Sequence, residues 1–300
     1  MLGQTGIFLQ GSFGEKGYYL PHLRRLLRSI QKAMKKIISI VSAIILCLLC
    51  AGCNAKAEEN TMAAPKKYFT LSFDDGTYED EKLIALLKKY DIPASFCINT
   101  GLMDGNDVIE VAGNWRRMDF DYAKDNAVYS GFDVISHAYT HKEFTRLSDE
   151  EIVFQAKSDC GKIKELTGKS PVGIAYPGGT AYYDDRTINV LLSETDIRFA
   201  RDTDDMYGFA LPENFMAWKP TCSLLDGRLM DLAQKFAESE ATEDMLFYGW
   251  DHPWALTAYN AWKKIEEFLS YISGRNDIVY VTNSEFYELY KDKIPSKGLW

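Results

Sequence analysis

Residues 67–300 contain two kinds of hydrophobic pattern that alternate along the chain. Short apolar runs rich in β-branched and aromatic residues predict strands at 68–73, 94–99, 132–136, 173–176, 197–201, 245–250 and 278–282. Segments in which apolar residues recur every three or four positions predict helices at 79–89, 148–167, 187–193, 229–238, 261–272 and 285–291. The second of these helices opens on a capping box formed by Ser148 and Glu151.

The repeated alternation of strand and helix favours an α/β domain with a parallel sheet. Polar side chains that can take part in chemistry follow at least four of the predicted strands. In a parallel sheet that closes into a barrel, the loops after the strands meet at one rim. We therefore predict a (β/α) barrel in preference to an open, doubly wound sheet.

A different pattern lies near the N-terminus. Residues 37–50 form an uncharged, mostly apolar run that directly follows Lys35 and Lys36. The run is shorter than the about 20 residues that a transmembrane helix needs, and small residues follow it. This layout predicts a secretory signal at 34–53, and it resembles a bacterial lipoprotein signal in which Cys53 becomes the lipid-modified N-terminus. An uncleaved membrane anchor is the alternative, and both interpretations place the domain outside the cytoplasm.

These patterns divide the chain into four predicted parts. A signal normally starts at its own methionine, so we interpret residues 1–33 as an N-terminal extension that is not translated, followed by the signal at 34–53. The segment 54–66 begins with a run rich in Ala, Glu and Asn and is predicted to be a tether. The folded domain is predicted at 67–300, and a lipid on the tether would hold it at the cell membrane.

The formal net charge of the chain, −9, is distributed unevenly. Residues 1–53 carry seven basic residues and one acidic residue, whereas residues 54–300 carry 27 basic and 42 acidic residues. The resulting charge of −15 argues against a nucleic-acid partner, because nucleic-acid binding usually needs a basic face. The same part of the chain keeps Cys97, Cys160 and Cys222, and their odd number argues against a disulfide scaffold.

Three of the four histidines lie in the predicted domain, and each of the three follows a predicted strand. His137 and His141 are four residues apart, so on a helical turn they would share a face and bind one metal ion. Ala138 stands where a zincin motif has glutamate, so a general base must come from elsewhere. A surface turn without a metal is the alternative that this spacing leaves open.

Asp74 and Asp75 end the first predicted strand and precede Gly76. Adjacent side chains at a strand end point in different directions, so one carboxylate can bind a metal while the other faces a substrate. Two histidines and one carboxylate with open coordination positions are typical of a hydrolytic metal site. The alternative for the two aspartates is an Asx-type turn that ends the strand.

The chain resembles a known family at several ordered motifs. The motifs of the polysaccharide deacetylases, also called NodB-homology domains or carbohydrate esterase family 4, are similar to 70–76 (TLSFDDG), 136–141 (SHAYTH), 175–179 (AYPGG) and His252. The resemblance extends over residues 67–292. It implies a distorted (β/α) barrel with seven to eight strands, a divalent metal cofactor, and hydrolysis of N-acetyl or O-acetyl groups on sugars. Zn²⁺ is the metal that we expect, with Co²⁺, Ni²⁺ and Mn²⁺ as alternatives.

The resemblance also implies a role for each matched residue. Asp74 would be the general base that activates water, and His252 would be the general acid that protonates the leaving group. Asp75, His137 and His141 would bind the metal.

The third motif adds one implied role and one departure from the family pattern. The backbone N–H of Gly178 would stabilise the oxyanion. Ala175 stands where the family often has an arginine that orients the base. We expect Arg201 to substitute for that arginine and Asp202 to hydrogen-bond His252. A surface ion pair is the alternative for each of these two residues.

The sequence as a whole predicts a metal-dependent hydrolase that acts on the C–N bonds of linear amides. Its substrate would be an N-acetylated or O-acetylated polysaccharide of the cell envelope or the extracellular space. We expect a monomer that binds this glycan and contacts the membrane through its lipid anchor. One alternative is a catalytically silent glycan-binding lipoprotein, because Ala175 replaces the orienting arginine. Another is a hydrolase of a non-sugar amide, which the export signal disfavours.

Overall fold

The computed structural model describes residues 64–299, together with residues 32 and 34 near the N-terminus. The predictions for the extension, for the signal segment with Cys53 and for most of the tether therefore fall outside the described residues. A compact unit of the chain begins at Ala64, close to the predicted start of the domain. Among the described helices, none is both long and apolar enough to cross a membrane.

Ten strands lie in the described residues, and eight of them form one parallel sheet. The strands are β1 (Lys67–Asp75), β2 (Ser95–Ile98), β3 (Val108–Ile109), β4 (Trp115–Arg116), β5 (Asp133–Ser136), β6 (Gly173–Ala175), β7 (Phe199–Arg201), β8 (Cys222–Ser223), β9 (Met245–Asp251) and β10 (Ile278–Tyr280). The sheet has the order β7-β6-β5-β2-β1-β9-β8, and β10 pairs with the start of β1. The strands β3 and β4 form a separate antiparallel hairpin. The predicted distorted (β/α) barrel is confirmed.

Eight α-helices lie in the same part of the chain, and they alternate with the strands as the sequence predicted. They are α1 (Asp80–Lys89), α2 (Phe120–Asp125), α3 (Asp149–Thr167), α4 (Asp185–Glu194), α5 (Leu229–Glu238), α6 (Pro253–Ala258), α7 (Trp262–Ile272) and α8 (Asn283–Tyr290). Short 3-10 helices lie at Thr100–Leu102, Phe144–Arg146, Gly179–Tyr182 and Phe215–Ala217.

The start of α3 shows how the local sequence determines an element. The Ser148 hydroxyl accepts a hydrogen bond from the N–H of Glu151 at 3.3 Å, and the Glu151 carboxylate accepts one from the N–H of Ser148 at 2.8 Å. The predicted capping box is therefore confirmed. The pattern missed the β3–β4 hairpin, α2, β8 and α6. These elements have only two or six residues, too few for a hydrophobic period to show.

The strand β1 is buried along all nine of its residues, because the sheet is covered on both faces. Its outward side chains pack with α1, α5 and α7 in one core cluster, and they are Phe69, Leu71 and Phe73. Ser72 faces the other way and accepts a hydrogen bond from the buried Tyr248 hydroxyl. Asp74 is the next residue in this inward series, since side chains of a strand alternate between faces. The period of the strand thus brings one carboxylate to the inside of the curled sheet.

Candidate active site

The candidate site lies where the parallel strands end. The last residues of β1, β5, β7 and β9 are Asp75, Ser136, Arg201 and Asp251. Because these strands are parallel, their carboxyl ends lie at the same edge of the sheet, and the residues there converge. His137 follows β5 directly, and His252 follows β9 directly.

Both Asp74 and Asp75 reach this edge because the backbone turns at the second aspartate. Asp75 has a φ of 86°, which lies in the left-handed region, and Gly76 follows with a φ of 67°. In a fully extended strand, Asp75 would point to the face opposite Asp74. A residue other than glycine adopts a left-handed conformation only at an energetic cost, and such residues concentrate at functional sites. The turn at Asp75 thus brings two neighbouring carboxylates into one site.

His137 and His141 meet through an irregular loop, and the helical turn expected from their spacing is wrong. Ala138 has a φ of 61° and His141 a φ of 52°, both in the left-handed region, so the segment is not a helix. The two imidazole centroids are 4.8 Å apart and their planes are inclined by 78°. The loop conformation therefore achieves the proximity that the spacing suggested.

Asp75, His137 and His141 form a group that fits a metal ion. One ligand atom from each lies within 4.8 Å of the others, and Asp75 Oδ1 is 3.9 Å from Nε2 of each histidine. Two imidazole nitrogens and one carboxylate oxygen suit Zn²⁺ or a similar divalent ion and leave coordination positions open. The Nδ1–H of His137 donates to the carbonyl of Ala175 at 2.9 Å, which leaves Nε2 free for a metal. The side chains present therefore fit a divalent metal.

The same three side chains have the protonation states that metal binding requires. Burial lowers the pKa of His137 to about 4 and also lowers the pKa of His141, so both imidazoles are neutral at pH 7. Burial by itself would raise the pKa of Asp75, but His252 and Arg117 hold it well below its usual value. One anionic and two neutral ligands therefore face a common point.

Asp74 pairs with Arg201 inside the barrel. Arg201 Nη2 donates to Asp74 Oδ2, and both side chains are almost completely buried. The guanidinium also lies over the Trp250 ring, 4.5 Å from its centroid. Burial by itself would raise the pKa of the Asp74 carboxyl, but Arg201, His137 and His252 lower it below its ordinary value. Asp74 Oδ1 is buried and has no hydrogen-bond partner among the described residues.

His252 lies beside the carboxylates of both Asp74 and Asp75. Its Nε2 is 3.9 Å from Asp74 Oδ2 and 3.8 Å from Asp75 Oδ2. Burial would lower the pKa of His252, but the neighbouring carboxylate of Asp251, with Asp75 and Asp74, raises it to about 9. The imidazole is therefore protonated at pH 7.

The carboxylate next to His252 is that of Asp251, and the expected hydrogen bond from Asp202 is wrong. Asp251 Oδ1 lies 3.8 Å from His252 Nδ1 and accepts a hydrogen bond from the His252 N–H at 2.8 Å. The carboxylate of Asp202 instead accepts hydrogen bonds from the Tyr183 hydroxyl and the N–H of Asp204. The adjacency of Asp251 to His252 in the sequence was the signal that could have indicated this partner.

Sequence reasoning also missed two residues that contact Asp75. Arg117 Nη1 donates to Asp75 Oδ1 at 3.1 Å, and Trp254 Nε1 donates to Asp75 Oδ2 at 2.8 Å. Both contacts join residues that are distant in the sequence, and no local pattern marks Arg117. They fix both oxygens of the carboxylate that is placed to bind the metal.

Residues 61–199 match a family model whose description is "Polysaccharide deacetylase". The chain carries a polysaccharide deacetylase domain. The matched segment includes both aspartates and the histidine pair of the site, whereas Arg201 and His252 follow its end. The family resemblance seen in the sequence motifs is confirmed.

Individual relatives of this chain are distant. It is 31% identical over 107 residues to an uncharacterized 30.6 kDa protein of Geobacillus stearothermophilus. That match covers 35% of this chain and 35% of the relative, so it spans about a third of each protein.

The solved structures that this chain matches share little of its sequence. The Xyl-CE4 domain of a multidomain xylanase from the hindgut metagenome of Trinervitermes trinervoides is 17% identical, with a TM-score of 0.48, over 78% of this chain and 95% of that one. A CE4 family pseudoenzyme from Bacillus anthracis is 17% identical, with a TM-score of 0.45, over 73% and 65%. A Streptococcus pyogenes deacetylase in complex with acetate is 21% identical, with a TM-score of 0.39, over 49% and 61%.

Gly178 lies at the turn after β6. It is exposed and left-handed, with a φ of 74°, and it precedes the 3-10 helix Gly179–Tyr182. A Cβ atom at this position would lie 2.3 Å from the ring of Tyr182, so the turn requires glycine. The role of its N–H as an oxyanion donor stays a prediction.

Proposed function

We propose that this chain is a metal-dependent hydrolase that removes N-acetyl or O-acetyl groups from a polysaccharide. The observation that carries the proposal is the convergence of three histidines on two carboxylates. The Nε2 atoms of His137 and His252 each lie within 3.9 Å of an oxygen of Asp74 and of Asp75, and His141 Nε2 lies 3.9 Å from Asp75 Oδ1. This set contains the ligands, the base and the acid that hydrolysis of an amide or ester needs.

Asp75, His137 and His141 are the residues that would hold the metal, and Zn²⁺ is the ion that we propose. When bound, a divalent metal polarises the acetyl carbonyl and lowers the pKa of water at its open positions. Among these three ligands, Asp75 supplies a negatively charged oxygen, and the two neutral imidazoles supply nitrogen atoms. The contact of His137 with the Ala175 carbonyl keeps Nε2 directed at the site.

Asp74 acts as the general base in this proposal. Its lowered pKa keeps it a carboxylate at neutral pH, and Arg201 binds Oδ2 while Oδ1 keeps no protein partner among the described residues. The Asp74 carboxylate is therefore the group that accepts a proton from the attacking water. Arg201 positions the carboxylate from β7, in the place of the arginine that Ala175 replaces.

His252 acts as the general acid. Its pKa, raised to about 9, keeps a proton on the imidazole at neutral pH. The oxygen of water bonds to the acetyl carbon, the bond from that carbon to the sugar nitrogen or oxygen breaks, and His252 gives its proton to the leaving atom. The products are acetate and a free amine or hydroxyl. The N–H of Gly178 would stabilise the negative charge on the carbonyl oxygen.

The N-terminal pattern supports the proposed class of polysaccharide and the proposed place of action. The basic start and apolar run of 34–53 support export, with Cys53 as the lipid anchor that holds a monomeric domain at the membrane. An exported deacetylase of this kind meets cell-envelope or extracellular glycans. The pairing of Arg201 with Asp74 favours an active enzyme over a silent glycan-binding lipoprotein, because it supplies the arginine that is absent at Ala175.

Acetate release from a substrate panel tests the proposal. The purified protein is incubated with peptidoglycan, N-acetylated chitooligosaccharides, acetylated xylan and small non-sugar acetamides, and bound metal is measured in the same sample. We expect acetate from at least one glycan and its loss on chelation. Release from the small acetamides alone would replace the proposal with a non-sugar amidase. Glycan binding without acetate at any metal loading would replace it with a binding protein.

A further inference from the structure

We propose that Arg117 and Asn99 form a clamp that positions the metal ligands Asp75 and His137. We call this pair the Arg117–Asn99 clamp. The inference rests on the metal site of the proposed function, but it concerns two residues that lie outside the motifs of the sequence and outside the ligand set.

Arg117 is a buried side chain that directs Nη1 at the site and Nε at a supporting carboxylate. Its Nη1 donates to the backbone carbonyl of Asp75 at 2.9 Å and to Asp75 Oδ1 at 3.1 Å. The same Nη1 donates to Asn99 Oδ1 at 3.0 Å, and Nε donates to Asp107 Oδ2 at 2.9 Å. One guanidinium thus holds both the main chain and the side chain of Asp75.

Asn99 extends this connection to the loop that carries the histidines. It is fully buried directly after β2, and its carbonyl oxygen accepts from Arg117. Its amide nitrogen donates to the backbone carbonyl of His137 and, at 2.8 Å, to that of Ala138. The clamp therefore links the end of β1 to the residues after β5, across the end of β2.

Two parts of the linked backbone need such support. Asp75 and Ala138 both have left-handed φ values, 86° and 61°, which residues other than glycine adopt only when surrounding contacts hold them. Each of these residues presents a backbone carbonyl to the clamp. Without the clamp, we expect Asp75 and His137 to lose the alignment that brings Oδ1 and Nε2 to 3.9 Å.

The segment that carries Arg117 is itself joined to the turn after β1. The N–H of Met118 donates to the Gly76 carbonyl at 2.9 Å, and Thr77 forms an antiparallel bridge with Arg117. The N–H of Arg117 donates to the Asp107 carbonyl at 3.0 Å. Arg117 is thus held at both its main chain and its side chain, and it can transmit a fixed geometry to Asp75.

The clamp and a purely electrostatic role predict opposite effects on metal affinity. A guanidinium beside a metal ligand repels a divalent cation, so its removal would strengthen metal binding if charge were its whole contribution. If Arg117 positions the ligands, its removal should weaken metal binding, because supporting partners of metal ligands typically contribute about 10–100-fold in metal affinity. Lysine keeps the charge but lacks the Nε donor that Asp107 binds, so no second contact holds its ammonium at the position of Arg117 Nη1.

The test measures the Zn²⁺ dissociation constant by competition with a chromophoric chelator, and the thermal unfolding of the metal-free protein. We expect Arg117→Met, Arg117→Lys and Asn99→Ala each to weaken Zn²⁺ binding about 10–100-fold. The double variant Arg117→Met/Asn99→Ala should bind about as weakly as either single variant, because both act through one connection. Arg116→Met is the matched control, since Arg116 is the exposed neighbour on β4, and it should bind Zn²⁺ like the wild type.

The outcomes separate the clamp from the metal site on which it rests. Unchanged or tighter Zn²⁺ binding by Arg117→Met would overturn the clamp and leave the metal site intact, as would wild-type affinity in Arg117→Lys. A wild-type protein that binds no divalent ion would overturn the metal site itself. If Arg117→Met does not fold, Asn99→Ala keeps the arginine and decides the question.

Discussion

The carboxylate of Asp74 on β1 and the guanidinium of Arg201 on β7 form a buried ion pair, although three strands separate β1 from β7 in the sheet order. The pair can form only because the sheet curls and brings its edge strand opposite the centre. Ala175 on β6 lies beside Arg201 in the register, so the arginine sits one strand away from its usual place in the motif.

Removal of Arg201 should impair both stability and catalysis. In Arg201→Met, Asp74 keeps its burial but loses its charged partner, and the loss of one partner from a buried pair costs about 3–5 kcal/mol of unfolding free energy. Burial then raises the pKa of Asp74, so the acidic limb of the kcat/KM profile should move to higher pH. Denaturant unfolding and pH–rate profiles measure the two effects. An unchanged acidic limb would contradict the positioning role.

An arginine moved to the neighbouring strand β6 should restore part of the catalytic activity that is lost when Arg201 is removed. In the double variant Ala175→Arg/Arg201→Ala, the new guanidinium starts from the residue opposite position 201, so it faces the same side of the sheet. We expect kcat/KM above that of Arg201→Ala alone. Equal activity of the two variants would mean that only β7 can deliver the guanidinium to Asp74.

Asp74→Asn should abolish turnover while metal binding persists. The amide keeps the size of the side chain but cannot accept the proton of water, and a general base typically contributes about 10²–10⁴-fold to the rate. Asp75→Asn is the matched comparison, because it changes the adjacent carboxylate and should lose the metal as well. Acetate release together with metal content per chain distinguishes the two variants. Wild-type turnover in Asp74→Asn would refute the assignment of the base.

The ionisation of His252 should depend on Asp251. In the metal-free protein, NMR titration of His252 should give a pKa of about 9, and Asp251→Asn should lower it. Because this folded-state pKa exceeds the usual 6.5 of histidine, the protonated imidazole contributes stability that is complete below about pH 6.5 and is lost as the pH rises through about 9. A pKa that does not change in Asp251→Asn would show that Asp75 and Asp74 alone stabilise the imidazolium.

Added Zn²⁺ should raise the melting temperature of the metal-free protein. Binding to the folded state alone contributes about 2.7 kcal/mol when free metal is 100 times the dissociation constant. His141→Ala removes one ligand from an only partly buried position, so it should retain the fold and lose this metal-dependent increase. Thermal scans with and without Zn²⁺ measure both. An increase in His141→Ala as large as in the wild type would place the bound ion elsewhere.

Much of the fold followed from the sequence because long elements carry their own signals. The aromatic and β-branched residues of 68–73 predicted the strand β1, and the capping box at Ser148 placed the start of α3. The short β3–β4 hairpin and α6 lacked enough residues to show a period. The hairpin precedes Arg117, so the missed element is also the one that leads to the proposed clamp.

The sequence by itself determined the alternation of strands and helices, the family resemblance, and the identity of the aspartates and histidines at the strand ends. These features are local, since they depend on residue type and short spacing. Only the tertiary structure decided which distant groups support them: Arg201 reaches Asp74 across the curled sheet, and Arg117 reaches Asp75 over 42 residues. The left-handed backbone conformations of Asp75 and His141 were also decided only by the tertiary structure. Such contacts and conformations depend on how distant segments pack, and no local pattern in the chain encodes them.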